Sequence, residues 1–69
     1  MKIIDKLINE LLERDLVIQY IKESKKYYIT DGVQQLSYTI YELENLIEFY
    51  GYRGFANRIK QDLNLMSRC

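Results

Sequence analysis

The stretch Lys25–Tyr52, KKYYITDGVQQLSYTIYELENLIEFYGY, decides the fold of this 69-residue chain. It contains a tight-turn signal, two short runs of β-branched and aromatic residues, a helix-capping signal and an amphipathic run. No Lys or Arg occurs between Tyr27 and Tyr52, although four acidic residues do. Neither this stretch nor its flanks contain a catalytic or ligand-binding motif. The sequence therefore predicts an architecture and a candidate surface rather than a reaction.

The end of the stretch predicts a helix. Thr39 and Glu42 form a capping box, with Thr as the N-cap and Glu as the third helical residue. Apolar residues then recur at three- and four-residue spacing as far as Gly51, a residue type that commonly ends helices. We predict a helix over residues 40–50 whose inward side chains are Ile40, Leu43, Leu46, Ile47 and Tyr50. A last amphipathic helix is predicted over residues 55–66, with Phe55, Ile59, Leu63 and Met66 inward.

The middle of the stretch permits two interpretations. Asp31-Gly32 is a tight-turn signal, and the alternation of polar and apolar residues after it indicates a half-buried strand. Alternatively, Asp31 caps one long helix over residues 32–50 with a heptad-like apolar seam. We favour the strand, because the residues of Val33–Thr39 include weak helix formers and the second capping box agrees with a helix that starts later.

The N-terminal part predicts a helix followed by a hairpin. Residues 2–14 show a continuous apolar stripe at helical spacing. Residues 16–22 and 26–30 are rich in β-branched and aromatic types and are separated by a polar break. The predicted fold class is therefore α+β, with a helix, an antiparallel hairpin or three-stranded meander, and two helices. The alternative order is α-β-β-α-α with the long helix 32–50.

Composition indicates one small cytoplasmic domain over residues 1–69. The chain is 48% hydrophobic and 29% charged, as in globular proteins, and no apolar run approaches the roughly 18–20 residues of a membrane helix. We therefore expect no membrane association, and the acidic residues of the N-terminus argue against a secretory signal. The single cysteine, Cys69, cannot close an internal disulfide; we interpret it as a dispensable terminal thiol, and the alternative is an intermolecular bridge in an oxidising setting.

Enzyme activity is not expected. The chain has no His, so it lacks the usual general base near neutral pH and the usual imidazole metal ligand. One terminal Cys makes neither a zinc site nor a positioned nucleophile. No glycine-rich phosphate loop is present. We predict no catalytic residues, no metal, no cofactor and no small-molecule substrate.

The outward side of the predicted helix 40–50 is the candidate partner surface. Seven of the 69 residues are Tyr, and Tyr is favoured at protein interfaces because it supplies a large amphipathic contact area. The alternative explanation is that the last helix covers this side and makes it core. The candidate partner-binding residues are Tyr41, Asn45, Glu48, Phe49, Tyr52 and Arg53.

A nucleic-acid partner is the alternative. LINELLERDLVIQYIKESKKYYIT resembles the back half of a winged-helix domain, in which a helix precedes a basic-tipped hairpin, although the two earlier helices of such domains are missing. The resemblance implies a small DNA-binding regulator. Its candidate contacts are Lys22, Lys25, Lys26, Arg53, Arg58 and Lys60. The zero net charge disfavours this reading, because nucleic-acid binding needs a surplus of positive charge.

The functional hypothesis is therefore a small non-enzymatic regulatory protein that acts by binding another protein. The many Ile, Lys, Tyr and Asn residues, which AT-rich codons encode, suggest a phage or mobile-element inhibitor of a host protein. Charge is unevenly distributed, because the acidic stretch is followed by residues 53–69, which carry four basic groups and one acidic group. Such a layout suits self-association, so we also expect a homo-oligomer, with a homodimer as the simplest case.

Overall fold

The structure is a computed structural model that describes residues 2–67, so the prediction for Cys69 lies outside the described residues. It confirms the α+β class and the three-stranded form of the prediction. The elements are α1 (Lys2–Leu12), β1 (Val17–Ile21), β2 (Lys26–Thr30), β3 (Gln35–Tyr38) and α2 (Ile40–Ser67). The strands form one antiparallel sheet in the order β1-β2-β3. Both helices contact the sheet, and α1 also packs on α2.

Helix α1 ends two residues earlier than predicted, because the chain adopts a left-handed cap. Asp15 has a φ of 60°. Its N–H donates to the Leu12 carbonyl, and the Leu16 N–H donates to the Leu11 carbonyl, at 3.1 and 2.9 Å. These two bonds define a Schellman motif, with Asp in the position that Gly usually occupies. Leu11 and Leu16 are both fully buried, so the cap also fixes the entry of the chain into β1.

The segment Val33–Thr39 contains a strand, and the alternative helix over residues 32–50 is wrong. The Asp31 carboxylate accepts hydrogen bonds from the N–H groups of Val33 and Gln34, at 2.9 and 2.8 Å. The same two bonds could cap a helix, but Gly32 has a φ of 98°, which is not helical, and the Thr30 hydroxyl donates to the Gln34 carbonyl at 2.7 Å, so the segment forms a turn. Strand β3 then pairs with β2, with Leu36 opposite Ile29.

The core lies between one face of the sheet and the two helices. Its fully or almost fully buried side chains include Leu7, Leu11, Leu16, Ile29, Leu43, Ile47, Phe55, Ile59 and Leu63. Two residues predicted to face inward are instead partly exposed, namely Tyr50 and Met66. Tyr50 ends the first half of α2, and its ring packs edge-on against Phe49 with centroids 4.7 Å apart. Met66 lies almost a full turn beyond the buried Leu63, in a stretch, 64–66, whose side chains are exposed.

Helix α2 is divided at Gly51, as the glycine stop predicts. Gly51 has φ 79° and ψ 166°, which is far from helical geometry. The second half starts directly after this residue rather than at Phe55 as predicted, because Tyr52–Gly54 are already helical. We call Ile40–Tyr50 the first half of α2 and Tyr52–Ser67 its second half.

Two carboxylates that accept backbone hydrogen bonds should make the fold acid-sensitive. The N–H groups of Gln34 and Val33 hold the pKa of Asp31 below its ordinary value, and the N–H of Thr39 does the same for Glu42. A depressed folded pKa contributes stability above the unfolded pKa, and this contribution is lost as the pH falls through the folded pKa. We expect the urea concentration at the unfolding midpoint to decrease as the pH is lowered below about 4.5, the upper end of the carboxylate range.

Amide replacements test this origin of the acid sensitivity. The double variant Asp31→Asn, Glu42→Gln should show a flatter midpoint-versus-pH profile by circular dichroism, since an amide does not titrate. Glu44→Gln, on the same helix but outside the capping box, should keep the slope of the unaltered protein. An equally steep loss in the double variant would place the sensitive groups elsewhere.

Candidate protein-interaction surface

The capping box predicted at the start of α2 is present and orients the first half of the helix. The Thr39 N–H donates to the Glu42 carboxylate at 2.9 Å, and the Glu42 N–H donates to the Thr39 hydroxyl at 3.2 Å. The first of these bonds is the main cause of the lowered pKa of Glu42, and the nearby charge of Lys26 lowers it further. The reciprocal pair therefore fixes where the helix starts, and the buried Leu43 and Ile47 mark the side of it that faces the core.

The outer side of the first half of α2 is an exposed surface, which we call the acidic aromatic face and define as Tyr41, Asn45, Glu48 and Phe49. These residues are spaced by four, three and one positions, so they lie on one side of the helix. Phe49 is 80% exposed and Tyr41 is 75% exposed. The second half of α2 does not cover them, so the explanation that makes this side core does not hold. Large exposed aromatic side chains of this kind are typical of interaction surfaces.

Tyr52 and Arg53 do not continue this face, although the sequence grouped them with it. The non-helical backbone at Gly51 breaks the helical spacing that the grouping assumed. Tyr52 is partly buried against the core, and the Lys6 ammonium lies 5.8 Å from the centre of its ring. Arg53 is exposed beyond the break. The face therefore ends in the last turn before Gly51.

A second feature, which the sequence analysis did not predict, lies beside the start of α2. The register places Tyr20 opposite Tyr27, and Tyr27 opposite Tyr38, so that one row of tyrosines crosses the sheet on its core side. Phe55 packs edge-on against Tyr38, with centroids 5.7 Å apart. The other end of the row is left uncovered, and Tyr20 is 48% exposed.

The uncovered end of the row forms one wall of a cleft of about 480 Å³. We call it the tyrosine cleft; the rest of its lining comes from Ser24 and Lys25 of the β1–β2 turn and from Thr39, Ile40 and Tyr41 at the start of α2. Tyr20 and Tyr27 pack together with centroids 4.8 Å apart. The four-residue turn Lys22–Lys25 places Tyr20 opposite Tyr27. The length of the polar break between the two predicted strands was therefore the signal in the sequence for this wall.

The residues proposed for nucleic-acid contact do not form one surface. Lys22, Lys25 and Lys26 are exposed around the β1–β2 turn. Lys60 instead donates to the Arg14 carbonyl at 3.2 Å, near the other end of β1. A five-residue strand at about 3.3 Å per residue separates these two ends.

Another candidate on α2, Arg58, is paired within its own helix. Its guanidinium lies 3.3 Å from the Asp62 carboxylate. The candidate cations are therefore divided between a small basic turn, the exposed Arg53, and two side chains, Lys60 and Arg58, that have partners within the fold. Residues 2–67 therefore present no extended basic stripe of the kind that follows the backbone of a DNA duplex.

Comparison with known proteins finds no family model, no curated sequence and no solved structure that matches the chain. Residues 2–67 contain no group of three or more His, Cys, Asp or Glu side chains that could hold a metal ion. Neither described helix is long and apolar enough to cross a membrane.

Proposed function

We propose that this protein is a small regulatory module without enzymatic activity that binds another protein through the acidic aromatic face. The observation that carries the proposal is the exposure of Phe49 and Tyr41, at 80% and 75%, on a capped helix in a very small domain. A domain of this size needs its apolar residues for its own core. Two large aromatic side chains left outside it are therefore best explained by contact with a partner.

The chemistry of the face indicates what the partner surface should present. The first half of α2 carries Glu42, Glu44 and Glu48 and no basic residue. Phe49 supplies an anchor for an apolar pocket, and carboxylates around it favour a basic rim on the partner. A regulatory protein that blocks a basic or nucleic-acid-handling surface of a host protein has these requirements.

The proposal is tested by capture from a lysate of the source organism, using matched variants and nuclease. The tagged protein should retain a specific protein after nuclease treatment, and Phe49→Lys combined with Tyr41→Ala should abolish retention. Val33→Lys is the control, because Val33 is also an apolar residue that is 80% exposed but lies in the β2–β3 turn. All proteins should give the same far-ultraviolet circular dichroism spectrum.

Two outcomes would contradict the proposal. Retention that survives in the Phe49→Lys, Tyr41→Ala variant would place the binding surface elsewhere. Retention that disappears with nuclease, and that depends on Lys22, Lys25 and Lys26, would indicate a nucleic-acid partner bound at the β1–β2 turn. In that case affinity should fall steeply with salt.

A further inference from the structure

We propose that a second copy of this chain pairs with the free edge of strand β1, antiparallel about a two-fold axis at Gln19, so that two three-stranded sheets join into one. The inference goes beyond the proposed function, because it uses a different part of the molecule. The acidic aromatic face lies on α2, which does not contact β1. A dimer of this kind would therefore present that face twice.

Strand β1 lacks the features that normally prevent edge pairing. Within residues 2–67 it has a hydrogen-bonded neighbour on one side only, namely β2. The backbone N–H and C=O groups on its other side are therefore a template for a further strand. The sequence of β1, VIQYI, contains no charged residue and no Pro, and its five residues pair with β2 without a bulge. Proteins usually protect an exposed edge with one of these devices.

The free edge of β1 is accessible. Of the two described helices only α1 contacts β1, and four of the five β1 residues are nevertheless exposed. Val17 and Tyr20, which point to opposite faces of the strand, are each 48% exposed. The other edge strand, β3, is one residue shorter, packs against α2 and ends directly before it. An incoming strand therefore finds the longer and less covered template on β1.

The order of side chains in β1 is symmetric about Gln19. A two-fold axis perpendicular to the sheet keeps equivalent faces on the same side, and it places residues at equal distances before and after Gln19 opposite each other. Ile18 then lies opposite Tyr20 on the core side, and Val17 lies opposite Ile21 on the outer side. Gln19 meets its own equivalent, and an amide can both donate and accept. Because such pairs of β-branched and aromatic side chains stabilise antiparallel strands, the symmetry favours a second copy over an unrelated strand.

The residues that flank β1 permit this pairing. Strict continuation of the register would bring Asp15 opposite Glu23, but Asp15 has a φ of 60° in the cap of α1 and Glu23 lies in the β1–β2 turn, so neither belongs to the ladder. Residues 13–15 carry two acidic groups and one basic group, whereas residues 22–25 carry two basic groups and one acidic group. Segments of opposite net charge therefore approach each other at both ends of the joined strands.

A cross-link tests the position of the axis. Gln19→Cys in a Cys69→Ser background should form an intermolecular disulfide on treatment with diamide. Directly opposite residues of antiparallel strands have Cα atoms about 4.5–5.5 Å apart, which is within the range that a disulfide spans. Ser37→Cys in the same background is the matched control and should not cross-link, since Ser37 is exposed in the same cross-strand row but on the opposite edge. Cross-linking at position 37 that equals or exceeds that at position 19 would overturn the proposal.

Sedimentation across a dilution series tests the same pairing without a covalent bond. The unaltered protein should change from dimer to monomer on dilution. Gln19→Lys and Gln19→Glu should each raise the dissociation constant about 5-fold or more, because like charges then oppose each other at the axis. An equimolar mixture of the two variants should restore dimers, since opposite charges then meet at position 19. Ser37→Lys, on the other edge, should dimerise like the unaltered protein.

The outcomes separate this inference from the proposed function. A monomer at every concentration would overturn the inference but would leave the capture experiment, and thus the proposed function, standing. Position-19 variants that do not associate when mixed, while the unaltered protein dimerises, would overturn the axis at Gln19. Assemblies that grow beyond a dimer would indicate that β1 pairs with β3 of the next copy, and they would overturn the two-fold arrangement.

Discussion

Phe55→Ala should unfold most of the protein at room temperature. Phe55 is the largest fully buried side chain, at 1% exposure, and it packs edge-on against Tyr38 at 5.7 Å. Truncation of a buried Phe to Ala costs about 3–5 kcal/mol. A domain shorter than about 70–80 residues rarely draws more than about 3–5 kcal/mol from its single core, so this loss is comparable to the whole free energy of unfolding of the 69-residue chain. Urea titration followed by circular dichroism should show loss of most of the folded population.

Phe49→Ala is the matched control, since it makes the same chemical change on an 80% exposed side chain. In dilute monomeric protein it should change the free energy of unfolding by at most about 0.5 kcal/mol, as exposed substitutions usually do. Phe55→Leu should remain folded and so permit a measurable titration. Equal losses at positions 49 and 55 would mean that the first half of α2 buries a different side from the one described above.

The parts of the fold that local chemistry determines were predictable from the sequence. Thr39 and Glu42 form their capping box within four residues, so no distant contact was needed to locate the start of α2. Asp31 similarly satisfies the turn donors from its own side chain. The end of α1 was misplaced because Asp15 adopts a left-handed conformation, which Asp tolerates but which its presence in a sequence does not reveal.

The candidate site was predictable only where it lies on one uninterrupted helix. Tyr41 and Phe49 are both exposed as their helical spacing indicates. Tyr52 does not lie on the predicted face, since the non-helical backbone at Gly51 breaks the helical spacing, and its ring packs against the core with the Lys6 ammonium of α1 5.8 Å from its centre. The tyrosine cleft was missed because it joins the β1–β2 turn to the start of α2, and no local pattern encodes such tertiary proximity.

Gly51→Ala should destabilise the fold by about 1–3 kcal/mol, the cost of holding a side-chain-bearing residue in a region of conformational space that is essentially restricted to glycine. Gly51 has φ 79° and ψ 166°. A Cβ atom added there would meet nothing within 4 Å, so the cost arises from the backbone and not from a steric clash. Urea titration at low protein concentration should measure it as a lower midpoint at an unchanged slope.

Gly54→Ala, in the same helix, should change the free energy of unfolding in the opposite direction from Gly51→Ala. Gly54 is helical, and an added Cβ would lie 3.4 Å from the Tyr50 Cβ, a tolerable contact. Ala is favoured over Gly in a helix interior by about 1 kcal/mol, so this variant should be neutral or more stable. A stabilising Gly51→Ala would contradict the broken geometry, because it would mean that α2 runs straight through residue 51. A straight helix would also carry Tyr52 back onto the acidic aromatic face, so this pair of variants tests the boundary of the binding surface as well as the stability of the fold.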